Sequence, residues 1–99
     1  MKLEITVVEI KGSCPVYKVG DKITLKHGYV LDPAATNIVC MHSLVSVMPY
    51  YVALSKGVKA RDLNLSRGDS DDAFVQCFDP CEITGGGTVR LKISRLEDK

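Results

Sequence analysis

From residue 2 to residue 10 the chain alternates. Leu3, Ile5 and Val7 fall on one side and Lys2, Glu4 and Thr6 on the other, the period of a half-buried strand. The alternation slips at Val7-Val8, which predicts a β-bulge or burial of both faces there. Residues 11–15 (KGSCP) are punctuated by Gly12 and Pro15 and read as a turn. After a tight turn at Gly20-Asp21, Ile23 and Leu25 face one way and Lys22, Thr24 and Lys26 the other, giving a second strand. Beyond His27-Gly28, residues 29–31 form a short third strand that ends at Asp32-Pro33.

The period then changes. In residues 36–57, Met41, Leu44, Val45, Met48 and Val52 make one stripe at helical spacing, and Cys40, Leu44, Val47, Tyr51 and Leu54 make a second beside it. The two stripes exceed the apolar arc of a surface helix and predict a central one, with His42, Ser46 and Tyr50 as its weakly polar remainder. Thr36 or Asn37 is the expected N-cap, Pro49 predicts a kink or a break into two short helices, and Gly57 is the expected left-handed residue after the end. Residues 59–65 suit one or two helical turns, and residues 66–71 a polar loop. Ala73, Val75 and Cys77 alternate with Phe74, Gln76 and Phe78 as a strand that Asp79-Pro80 ends. Gly85, Gly86 and Gly87 read as a mobile hairpin connection, and residues 88–94 form the last strand with Val89, Leu91 and Ile93 inward.

These elements predict an α+β fold in a single domain, residues 1–99: a small antiparallel sheet, flat or partly closed like a barrel, packed against one central Pro-kinked helix. The first and last strands are expected to be neighbours, with Glu4 opposite Arg90 or Lys92.

Charge narrows the function classes. The net charge is +1 with acids and bases interspersed, which lacks the clustered Lys/Arg of a nucleic-acid footprint. Glu4 and Glu9 interrupt the first apolar run, so it does not read as a signal peptide, and no window approaches the roughly 18 apolar residues of a membrane span. The expectation is a cytoplasmic protein, in which four cysteines are thiols, metal ligands or catalytic groups rather than structural disulfides.

Candidate chemistry therefore centres on sulfur. Cys14 lies in a turn, Cys40 at the start of the helix, Cys77 at the end of a strand, and Cys81 four residues on. The Cys77–Cys81 spacing falls in the loose range of paired zinc ligands, which Cys14 and Cys40, or His42 or His27, would complete. Zinc or an iron–sulfur cluster is thus allowed, though not favoured over no cofactor, because the paired CxxC signature is missing. The structural alternative is that the thiols are ordinary small hydrophobes, with Cys40 packed beside Leu44. Thr84 to Thr88 lacks the lysine of a phosphate loop and precedes a strand, and Asp69, Asp71 and Asp72 lack EF-hand spacing.

Three blocks, Cys14-Pro15 before YKVGD, the helix CMHSLVSVMPYYVALSKGV, and QCFDP followed by TGGGTVRLKI, resemble a family of small uncharacterised proteins of archaea and anaerobic bacteria. The resemblance covers most of the chain. It implies that Cys14, Cys40 and Cys77 stand at motif positions and that Cys81 departs from the pattern; it supplies no activity and no site residues. The leading expectation is a domain that binds a metal or small ligand, unknown in identity, through Cys14, Cys40, Cys77 and Cys81, with His42 as a further ligand. The alternatives are a Cys-dependent enzyme of redox or acyl-transfer type, with Cys40 as its thiolate, and an assembly module that forms a homodimer.

Overall fold

A computed structural model describes residues 1–97. Its centre is an antiparallel sheet of five strands, β1 (Lys2–Gly12), β2 (Lys22–Lys26), β3 (Val30–Leu31), β4 (Ala73–Gln76) and β5 (Gly87–Leu96), in the order β3-β2-β1-β5-β4. The chain is α+β, and the sheet is open rather than closed into a barrel. The first and last strands are neighbours at the centre of the sheet, as expected. Leu3, Ile5, Val7, Ile23, Leu25, Val75, Val89, Leu91 and Ile93 are buried together on one face. At about 25 cal/mol per Å² of apolar surface removed from water, that face is the principal source of stability.

β1 carries the bulge that the sequence predicts. Val7 pairs with Leu91 and Glu9 with Arg90, so Val8 is the extra residue. The bulge re-phases the strand: before it the odd positions point inward, and after it Ile10, opposite Val89, returns to the core side. It also moves the charge pairs. Glu4 faces Ser94, not Arg90 or Lys92, and its cation is Lys22 on β2 at 3.4 Å. Arg90 is bound by Glu9 at 2.6 Å instead.

The helical segment starts later than expected and is not central. Thr36 and Asn37 do not cap a helix; their side-chain oxygens accept the N–H groups of Thr24 at 3.0 Å and Lys22 at 2.8 Å. The reason lies in the sheet. β3 covers only two residues of β2, and the remaining edge needs hydrogen-bond partners, which residues 32–37 supply around a 3-10 turn at Pro33–Ala35. α1 (Met41–Val47) follows, with Cys40 as N-cap, and α2 (Tyr51–Ser55) comes after the break at Pro49. α2 ends with Gly57 in the left-handed region; Gly57 N–H donates to Leu54 O and Val58 N–H to Ala53 O, the paired bonds of a Schellman end.

One of the two predicted apolar stripes faces inward: Val47 and Leu54 are buried, and Cys40 and Tyr51 pack against the core. The other does not. Met41, Val45, Met48 and Val52 are 44–67% exposed. Ser43 and Ser46 take the buried side, their hydroxyls donating to Cys40 O and Ser43 O. A hydroxyl satisfied within its own helix can be buried without penalty, and its small size brings helix and sheet together.

Among the described residues, no helix is long and apolar enough to cross a membrane.

Candidate functional site

The segment leaving β1 sets the site. Gly12 ends the strand at positive φ, and Ser13 N–H donates to Gly86 O at 3.1 Å. Residues 13 and 14 are thereby laid on the start of β5. There Gly87 is buried, and a Cβ on it would stand 2.6 Å from Cys14 N and 2.8 Å from Ser13 C. The glycine run is therefore a close backbone contact rather than a mobile connection. It is preceded by a short helical turn, α3 (Cys81–Thr84), closed by Gly85 in the left-handed region.

Cys14, Cys40 and Cys77 come from a loop, a helix N-cap and the end of β4, and all three line one pocket of about 260 Å³. Tyr17, His42 and Asp79 line it as well, beside the apolar walls of Pro15, Val16 and Val89. Its size is just below that of ordinary ligand pockets, which run from about 300 Å³. Cys81 is elsewhere. It lines a separate surface depression with Lys11, Glu82 and Arg90, and its Sγ and Cβ lie over Gly12. All four cysteines are free, and among the described residues no three His, Cys, Asp or Glu side chains are grouped as ligands for a metal ion.

Each thiol has a defined setting. Cys14 Sγ accepts the Tyr17 N–H at 3.3 Å. Cys77 Sγ accepts the Val89 N–H at 3.1 Å and lies 3.6 Å from Gly87 O. Cys40 begins α1, and its N–H donates to Tyr17 Oη at 2.8 Å. His27, offered as an alternative ligand, stands in the turn after β2 with φ +58° and is not part of this pocket.

Tyr17 organises the pocket, and its place in the loop between Cys14 and Gly20 gave no sequence signal. Its hydroxyl lies 2.7 Å from Ser43 Oγ, and Ser43 spends its one proton on Cys40 O at 2.7 Å. Tyr17 therefore donates to Ser43 while accepting from Cys40, so both of its hydrogen-bond roles are filled at the start of α1. Burial pushes the Tyr17 hydroxyl above its ordinary value of 10.0; the Cys40 N–H, and a Ser43 hydroxyl free to turn and donate to the phenolate, oppose this and are outweighed, and the two neighbouring thiols, Cys40 and Cys14, add to the rise.

The sign of the resulting pH dependence follows. Unfolded chains ionise this phenol near its ordinary value of 10.0, while the folded protein keeps the proton to higher pH. Its contribution to stability is complete below that value and is lost as pH rises toward the folded value. Tyr17→Phe is expected to lower stability by about 1–2 kcal/mol at neutral pH, because Cys40 N–H loses its acceptor. It also removes Tyr17's share of the alkaline decline. Urea unfolding at neutral pH and above pH about 10 checks both, since the gap between variant and parent narrows at the higher pH.

Asp79 was read only as the end of a strand. Its carboxylate accepts the Thr84 hydroxyl, its carbonyl accepts Thr88 Oγ1 at 2.6 Å, and Gly86 lies against it with no room for a Cβ. The pocket thus combines sulfur, a phenol, an imidazole and a carboxylate over apolar walls. It can grip a small molecule by soft contacts and one or two directed hydrogen bonds. No family model, curated protein or solved structure matches this chain, so the reading of the pocket rests on its own geometry.

Proposed function

We propose that this is a small-ligand-binding domain whose ligand, compact and largely apolar, is held among Cys14, Cys40 and Cys77. The observation that carries this reading is that three cysteines distant in sequence line one pocket of about 260 Å³, while Cys81 does not. A small organic ligand fits better than a resident metal, because the described residues include no grouped set of three metal-ligating side chains. The likeness to the small proteins of archaea and anaerobic bacteria belongs to the same proposal. It is supported by the coincidence that the three thiols at the motif positions are the three that line the pocket. A reducing cytoplasm, which keeps such thiols free, is the compartment in which the pocket would operate.

Phenylarsine oxide tests this. One arsenical condenses with two neighbouring thiols, forming two As–S bonds and releasing one water, and its phenyl ring needs an apolar recess. The expected result is an equimolar adduct by intact mass that survives excess monothiol and is reversed by a dithiol. Cys14→Ser and Cys40→Ser each abolish it, and Cys81→Ser leaves it intact. An adduct that depends on Cys81, or none at all, would overturn the reading.

A further inference from the structure

The exposed stripe of α1 and α2 is the feature that neither the fold nor the pocket uses. Met41, Val45, Met48 and Val52 are all exposed, follow one another at spacings of four, three and four residues, and continue across the break at Pro49. Within α1 and its C-cap those spacings put Met41, Val45 and Met48 on one line of neighbours, and Val52 carries the exposure on into α2. Contiguous exposed apolar surface of this kind marks an interaction site more often than chance.

The charges around it limit what can cover it. From Pro33 to Ser55 the sequence has no Asp, Glu, Lys or Arg. A partner with a charged surface would find no complementary group along this segment and would lose its hydration in docking. A helix lying on a membrane surface is ordinarily rimmed by several Lys and Arg, whereas α1 and α2 contain none and have a single one, Lys56, at the C-cap of α2. A second copy of the same chain meets neither objection. It brings an equally uncharged apolar stripe, so a two-fold contact sets no like charges against each other and desolvates no ion. The two methionines, flexible and polarisable, can fit each other's surface across such a seam.

The end of α2 extends the face. Gly28, in the turn after β2, lies against Ser55 with no space for a side chain, so this turn closes on the helix. Just beyond it Leu31 on the short edge strand β3 is exposed and, being opposite the core residue Leu25, lies on the helix side of the sheet.

We infer that the chain forms a two-fold homodimer through the Met41–Val45–Met48–Val52 stripe. This goes beyond the ligand pocket and stands or falls independently of it.

Two measurements test the dimer. In sedimentation equilibrium over about 10 µM to about 1 mM, a range that spans modest affinities, the protein is expected to pass from monomer to dimer. Raising the salt should not weaken the association, because no ion pair holds it. Val45→Glu and Met48→Glu, both at exposed positions, should weaken association by at least about tenfold while leaving the urea midpoint in place. The second measurement needs no variant. The chain has three methionines, and Met1 lies outside the stripe. On treatment with hydrogen peroxide, sulfoxide formation at Met41 and Met48 should slow relative to Met1 as protein concentration rises. A monomer at every concentration, a dimer indifferent to both glutamates, or methionine oxidation that ignores concentration would each overturn the inference. So would monomers that co-sediment with uncharged phosphatidylcholine vesicles.

Discussion

Gly87→Ala is expected to lower stability by about 3 kcal/mol and to abolish the arsenical adduct. The added methyl group would stand 2.6 Å from Cys14 N, with Ser13 C at 2.8 Å, and both are backbone atoms. A flexible side chain can swing away from an intruding methyl, but here either residues 13 and 14 or the start of β5 must move, at a cost typical of an overpacked core. The same movement shifts Cys14 from its place beside Cys40 on the shared pocket, and those are the two thiols the arsenical needs. Urea unfolding gives the stability, and intact mass after phenylarsine oxide gives the pocket. An alanine variant that matched the parent in both would mean that the backbone contact is loose.

Arg95→Met is expected to cost about 2 kcal/mol, because one part-buried carbonyl and two exposed ones lose at once the donor that ties their segments together. Arg95 lies opposite Leu3 at the end of the core face, with its side chain 8% exposed. Its guanidinium donates to Val58 O and, at 3.5 Å, to Leu54 O beside the end of α2, and also to the Asp71 carbonyl and carboxylate. One planar fork thereby ties α2 to the loop before β4, a role to which lysine is poorly suited. The ion pair contributes the smaller share, since the Asp71 side chain is itself 77% exposed and its charge is screened by water. Asp71→Asn should therefore cost under about 1 kcal/mol. Chemical denaturation of both variants checks the ranking; equal losses would assign the effect to the ion pair instead.

The sheet was legible because its pattern has one cause. Alternation along β1 and β5 follows directly from one wet and one dry face, and the slip at Val7-Val8 marked the bulge. Pro49 and Gly57 were legible for a similar reason, since a missing N–H and a left-handed φ leave few alternatives. The helix N-terminus was not. The side-chain oxygens of Thr36 and Asn37 suit a helix cap and a strand edge equally well, and only the shortness of β3 decides between them.

The two apolar stripes were also ambiguous. Ser43 and Ser46 are buried because their hydroxyls bond to their own helix, which leaves Met41 and Val45 facing outward, and a periodicity count ranks these residues the other way. At the candidate site, Cys14, Cys40 and Cys77 were identified by their positions at the ends of elements. Spacing alone could not separate Cys81 from them. Tyr17 and Asp79 escaped notice because each acts through a distant segment: Tyr17 through α1, and Asp79 through Thr84 and Thr88.

Between Val7 and Cys14 the chain carries one residue more than its partner strand. Val8 is partly in solvent and opposite no residue, so many side chains would serve in its place. Removing the position altogether would restore regular pairing: Val7, Glu9 and Ile10 would keep Leu91, Arg90 and Val89 as partners and keep their sides. What the strand would lose is the local bend and added twist that an unpaired residue gives it on the way to Cys14. The surplus residue therefore steers the path of the segment and leaves its inward and outward faces as they are.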